Sequence, residues 1–100
     1  MSSSKSLCEV TFFLAKNSTV IKTDGIFIAV GIHPNTEYFA GLVDMDKNGY
    51  IVAGENCETS VPGIFVAGDT RTKELRQIIT AVADGANAVN SVQKYLLTLA

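Results

Sequence analysis

The most constraining stretch of this chain is Ile64-Phe-Val-Ala67-Gly68-Asp69, a short apolar run halted by Gly-Asp and followed closely by a long proline-free segment. In that segment Leu75, Ile78, Ile79, Val82, Ala86, Val89 and Leu96 recur at three- and four-residue spacing, which predicts one helix from about Leu75 to Leu97. An apolar run of four, introduced by Val61-Pro62-Gly63, reads as a fully buried strand. Strand, glycine turn and helix in that order make an α/β unit, and in open α/β sheets ligands sit beyond the carboxyl ends of strands. Gly68 lets a backbone come close to such a ligand, Asp69 offers an acceptor to hydroxyl donors, and the helix start presents free N–H groups to developing negative charge. The simpler reading of the same residues is a tight turn in which Asp69 caps a backbone amide. The small residues Ala81, Ala83, Gly85, Ala86 and Ala88 either let the helix approach a sheet or ligand closely or merely favour helix, and Asp84-Gly85 reads as a point of close packing on the sheet.

Upstream the elements are shorter. Val10 to Leu14 and Val20-Ile21, around the polar Lys16-Asn-Ser-Thr19, predict a hairpin, and Asn17-Ser18-Thr19 is a turn rather than a glycosylation site. Ile26 to Val30, apolar on both faces and bounded by glycines, suits a strand of a parallel sheet. Gly31 ends it, and His33-Pro34-Asn35-Thr36 reads as a joint, with Thr36 or Asn35 capping a short helical turn through Phe39 and His33 a loop residue. Tyr50 to Ala53 is a further strand, and residues 1–9 read as a disordered N-terminus.

One hundred residues suffice for one small core and not for two cofactor domains. Eight basic against ten acidic residues, with no run of either sign, point away from nucleic acid and from a membrane surface. The short apolar runs and the lack of an apolar leader after Met1-Ser-Ser-Ser-Lys5 suggest a cytoplasmic protein. Cys8 and Cys57 form no C-x-x-C pair and have no His cluster, so both read as ordinary reduced thiols. Asp44 to Glu55 fits the calcium-loop pattern D-x-D-x-N-G-x₅-E, yet Asn56 to Gly63, with its proline, cannot supply the exiting helix, and an Asn-Gly turn into a strand describes the segment better.

The order Thr59-Ser-Val-Pro-Gly-Ile-Phe-Val-Ala-Gly-Asp69, then Leu75-Arg76-Gln77-Ile78, with Gly31-Ile-His-Pro-Asn-Thr36 before it, resembles the C-terminal part of bacterial-type thioredoxin reductases. The resemblance runs from about Val10 to Leu96. It implies a partial FAD/NAD(P)-binding Rossmann-like α/β fold with short strands and one long C-terminal helix. Residues 10–32 would be a remnant of the NADPH-binding domain, and residues 33–100 the C-terminal part of the FAD-binding domain. The cofactor-binding residues it implies are Gly68 and Asp69, on the ribityl chain, and Arg76, Gln77 and the backbone of Ile78, on the pyrimidine side of the flavin; Ile78 replaces the usual alanine or valine. It further implies FAD, NADPH for the complete enzyme, and a thioredoxin-like protein as partner. The family's two glycine-rich phosphate turns and its C-x-x-C are not in this sequence, so the chain is expected to be an incomplete flavin site without full catalysis. The alternatives are a truncated module whose open sheet edges pair with a second copy or a partner chain, and a ferredoxin–NADP reductase-like flavoprotein fragment.

Overall fold

In the computed structural model, residues 8–14 and 16–100 are described; residues 1–7, most of the expected disordered N-terminus, lie outside them. They form two compact units that divide between Ile32 and His33. In the first, strand β1 (Cys8–Leu14) pairs antiparallel with β2 (Asn17–Thr23), with Val10 opposite Ile21 and Leu14 opposite Asn17. The hairpin is as expected, but Asn17 to Thr19 belong to the strand: β-branched Thr19, Val20, Ile21 and Thr23 favour extended backbone, and pairing extends to the last polar residues.

Ile26 to Val30 is not a strand. No described segment lies alongside to accept its hydrogen bonds, and Ile26, Phe27, Ile28 and Val30 are exposed, Phe27 completely. A run apolar on both faces needs sheet neighbours and helices over it, and this unit supplies neither among its described residues.

The second unit is built around Ile51. Its N–H donates to the Thr70 carbonyl at 2.9 Å and its carbonyl accepts from Thr72 N–H at 2.9 Å, a parallel bridge toward Arg71, while on the other side it bridges antiparallel to Met45. Ile51 and Ala53 are buried while Val52 faces out, the period-two pattern of a half-buried strand. Val43, Ile51, Ala53 and Val66 form the core, with Met45, Val61 and Ile64 packed against it. Val66 is buried, but Ile64 to Ala67 is not a fully buried strand: only Phe65 bridges, to Glu58, and Ala67 is exposed. Within Asp44 to Glu55, Asp46 Oδ1 accepts from the N–H groups of Asn48 and Tyr50, both at 2.9 Å, closing the turn between bridged segments. Bends and turns follow through Gly63 in place of the helix a calcium loop would need.

Glu37–Phe39 is a single 3-10 turn. Thr36 stands at its start, but the Thr36 hydroxyl donates to the Gly49 carbonyl rather than capping the turn, tying the segment after the joint to the Asn48-Gly49 turn. His33 is an exposed loop residue whose Nδ1 lies 3.9 Å from Glu37 Oε1.

Helix α1 (Ile78–Thr98) has 21 residues and is roughly 30 Å long. It starts three residues later than its periodicity suggests, because Gln77 is extended (φ −143°, ψ 162°) and its N–H donates to Thr80 Oγ1 at 3.0 Å, closing the first turn. Asp84 and Ser91 are its buried residues, flanked by half-buried Ala81, Gly85, Ala88, Val92 and Tyr95. The Tyr95 ring meets Phe65 edge-on at 6.0 Å. The apolar stripe that marks the helix in the sequence points the other way: Ile78, Ile79, Val82, Val89 and Leu96 are exposed. No helix among the described residues is long and apolar enough to cross a membrane.

Candidate functional site

Gly68 has φ +84°, a left-handed conformation that a side chain would strain, and a Cβ there would lie 3.7 Å from that of Ala81. The turn therefore lies directly on the small-residued face of α1. The Gly68 N–H donates 2.8 Å to Asp84 Oδ2, so the amide is capped from the helix and not by its neighbour Asp69. Asp69 is exposed, and its carboxylate makes no hydrogen bond to a described residue. Its carbonyl is used instead, accepting from Arg76 Nε at 3.1 Å.

Arg76 closes the loop. Its Nη2 donates to the Arg71 carbonyl at 3.1 Å, and its guanidinium carbon lies 3.7 Å from the centroid of the Tyr50 ring, a cation–π stack. Gln77 and Ile78 follow at the helix start; both are exposed, Ile78 at 87%, so its larger side chain meets no crowding within this unit. Arg76 is thus joined to Asp69 by a direct hydrogen bond, while Gly68 precedes Asp69, and Gln77 and Ile78 follow Arg76, in sequence.

Beneath the loop lies a buried ionic cluster centred on Asp84. Arg71 Nε and Nη2 reach its two oxygens at 2.7 Å each, a two-pronged pairing, and Lys73 Nζ reaches Oδ2 at 2.8 Å. Arg71 Nη1 also donates to the Thr72 carbonyl at 2.9 Å, and Lys73 Nζ to that of Thr80 at 3.5 Å. Exposed Glu55 stands 3.4 Å from Arg71. Donation from Arg71, reinforced by Lys73 and the Gly68 amide, outweighs burial and holds the Asp84 carboxyl well below the usual carboxylate range. The bond to Asp84 in turn pushes the Arg71 guanidinium above its ordinary value. Cys57, fully buried at φ 62°, directs its thiol toward the Asp84 carbonyl at 3.4 Å, and burial followed by the Asp84 charge pushes it up. In the sequence Arg71 and Lys73 are only loop cations and Asp84 only a packing point; the available clue was one carboxylate on the alanine- and glycine-rich stretch of a helix, with two cations in the loop before it.

A cavity of about 480 Å³ borders this cluster, lined among others by Ala53, Glu55, Arg71, Lys73, Leu75 and Asp84. None of Gly68, Asp69, Arg76, Gln77 or Ile78 lines it; Asp69, Gln77 and Ile78 are exposed, Arg76 is half-buried and Gly68 is buried.

Residues 2–85 match the family model described as pyridine nucleotide-disulphide oxidoreductase. The chain belongs to that family. Within the pyridine nucleotide-disulphide oxidoreductases it is 48% identical over 80 residues to a thioredoxin reductase of Listeria innocua, covering 80% of this chain and 25% of that one. The crystal structure of Lactococcus lactis thioredoxin reductase in its FR conformation overlays with a TM-score of 0.77 at 39% identity, over 84% of this chain and 28% of that chain. The T. acidophilum thioredoxin reductase overlays with a TM-score of 0.78 at 36% identity, over 92% and 31%. The α/β, Rossmann-like class that the resemblance implies is that of these neighbours. The chain spans about a quarter of the length of the curated relatives it matches.

The residues present suit part of a flavin nucleotide. The uncommitted Asp69 carboxylate after Gly68 fits a hydroxyl-bearing chain, and the start of α1, where Gln77, Ile78 and Ile79 are exposed, fits the electron-rich edge of a ring. The described residues hold no glycine-rich turn opening a helix that could cradle a pyrophosphate.

Proposed function

We propose that this chain is the C-terminal, flavin-contacting part of a thioredoxin-reductase-like, NADPH-dependent disulfide oxidoreductase, and that it is not catalytically complete by itself. The observation that carries the reading is the Gly68-Asp69 turn: left-handed Gly68 seated on α1, the Asp69 carboxylate free, and Arg76 bound to the Asp69 carbonyl just before the helix start. In this reading Gly68 and Asp69 receive the ribityl chain of FAD, and Arg76, Gln77 and the Ile78 backbone border the pyrimidine edge. Bound FAD would supply the electron transfer. Residues 10–32 then belong to the NADPH-binding part and residues 33–100 to the FAD-binding part, and the assembled enzyme is cytoplasmic and reduces a thioredoxin-like protein. The resemblance to named thioredoxin reductases at 36–48% identity favours this over a ferredoxin–NADP reductase-like fragment.

The test is a titration of the purified chain with FAD, followed by flavin fluorescence. Saturable, weak binding that disappears in Asp69→Ala supports the site; wild-type chain indifferent to FAD, or Asp69→Ala binding equally well, sinks it. A second reading rests on the exposed apolar run Phe27 to Ile32 and the outward stripe of α1. In it the chain is a module that associates with a second copy or a partner chain and has no enzyme activity. A dimer in sedimentation equilibrium, unaffected by FAD, would favour that reading.

A further inference from the structure

We propose that Asp84 is a positioning residue for the flavin-facing turn, one carboxylate that fixes the direction in which Asp69 and Arg76 are presented by binding the loop at three points. The inference rests on the flavin reading above and adds to it a residue that touches no cofactor. The Asp84 carboxylate accepts four hydrogen bonds, and every donor comes from the loop between the core and the helix: Gly68 N–H, Arg71 Nε, Arg71 Nη2 and Lys73 Nζ. Oδ2 alone takes three of them, at 2.8, 2.7 and 2.8 Å.

The geometry transmits directly to the candidate contacts. The Gly68 amide plane precedes a residue at φ +84°, so rotating that plane would re-aim the Asp69 carboxylate next to it. The Arg71 N–H donates to the Gly68 carbonyl at 3.3 Å, and the Arg71 carbonyl receives Arg76 Nη2 at 3.1 Å. Asp84 thus holds Arg71 by its side chain while the main chain of the same residue holds Arg76. Without the carboxylate, the loop's own hydrogen bonds would be left beside two buried, mutually repelling cations, with Arg71 2% exposed as a residue and the Lys73 side chain 6%. A residue that only stabilised the fold would not need to cap the turn amide; a single ion pair to Arg71 would serve.

The full chain is compared with two variants. Asp84→Asn keeps the shape and an acceptor for the Gly68 N–H but removes the charge that gathers Arg71 and Lys73, whereas Val43→Ala removes core packing and none of the hydrogen bonds to Asp84. The readouts are the Gly68 amide and Arg76 Nε–H signals in a nitrogen-15 NMR spectrum, the melting temperature, and the dissociation constant for FAD. Asp84→Asn is expected to shift the Gly68 amide upfield, broaden the Arg76 signal and raise the FAD dissociation constant about tenfold, the scale of one charge-assisted hydrogen bond. Val43→Ala is expected to lower the melting temperature and move neither signal. Should Asp84→Asn fail to fold, Arg71→Lys, which keeps the charge and loses the two-pronged geometry, must move the same two signals in the same direction. Unmoved signals in the folded variant, or equal changes in Val43→Ala, overturn the proposal. Wild-type chain that shows the ordered Gly68 and Arg76 signals and yet binds no FAD defeats the flavin reading, and with it the cofactor half of this inference, while the signals still decide the ordering role.

Discussion

Removing the members of the buried cluster one at a time should destabilise the chain in a fixed order, with Asp84 first, Arg71 second and Lys73 last. Asp84→Ala strips four hydrogen bonds and leaves two cations, their side chains 3% and 6% exposed, with only the exposed Glu55 carboxylate beside Arg71, a change that costs about 3–5 kcal/mol. Arg71→Met leaves Asp84 bonded to Lys73 and to the Gly68 N–H, so the loss is the two-pronged pair and the bond to the Thr72 carbonyl, about 2 kcal/mol. Lys73→Met keeps the Arg71 pair intact and its apolar stem in place, and about 1 kcal/mol is expected. Domains of this size have about 5–15 kcal/mol in total, and a buried core of Val43, Ile51, Ala53, Cys57 and Val66 puts this one at the low end. Asp84→Ala should therefore keep only about 0–2 kcal/mol and lie at the margin of stability in buffer. Urea unfolding at pH 7 followed by circular dichroism measures the series. Lys73→Met costing as much as Asp84→Ala, or Asp84→Ala costing under about 1 kcal/mol, would refute the view that one carboxylate neutralises both cations.

The same cluster gives pH a sign. Because Arg71 foremost, then Lys73 and the Gly68 amide, hold the folded Asp84 carboxyl below its ordinary value, its stabilisation is complete above about pH 4 and lost as the medium becomes more acidic. Asp84→Asn should flatten that acid limb in urea midpoints measured from pH 7 down. Cys57 acts at the other end: burial raises it above its ordinary 9.0, so the thiol's contribution is intact below that value and declines as pH rises past it, an alkaline loss that Cys57→Ala should remove. Gly63 has φ +86°, and a Cβ there would stand 3.0 Å from Tyr95 Oη, so Gly63→Ala should lower stability by about 1–2 kcal/mol, only partly restored by adding Tyr95→Ala. Tyr50→Leu removes the ring under Arg76 and should weaken FAD binding by about two- to fivefold, the contribution of a half-buried cation–π stack; unchanged affinity would show that the stack does not matter to the site.

What could be read from residues alone follows from what is local. The hairpin, the long helix and the Gly68-Asp69 turn are encoded by spacing, by β-branching and by a glycine that alone takes φ +84° without strain, and all three form, the helix three residues late and the hairpin with Asn17 to Thr19 in its second strand. The Asp84 cluster was not legible because it joins positions 11 to 16 residues apart that have no periodic relation, and because a carboxylate in a helix is far more often a solvated one. Arg76 was legible as a site residue but not its support: nothing in the sequence relates it to Tyr50, which reaches it only after the Asn48-Gly49 turn sends the Tyr50–Ala53 segment alongside residues 70–72.

The elements that sequence placed inside and structure places outside have one cause. Ile26 to Val30 was read as doubly buried and is exposed; the stripe Ile78, Ile79, Val82, Val89 and Leu96 has the spacing of a core face and points to solvent; Ile64 to Ala67 is buried only at Val66. Hydrophobic patterning reports which side chains favour burial, and among the described residues no segment covers these apolar faces. The interior this unit does possess is turned the opposite way, toward Ala81, Asp84, Ala88 and Ser91, where small side chains and a charge cluster replace bulk. The inner face of α1 therefore carries Asp84 among small residues, while the exposed side combines the apolar stripe with Asn90, Gln93 and Lys94. That small inner face explains how the Gly68 turn comes to lie on the helix, because a larger residue at position 81 would push the turn, and with it Asp69, away.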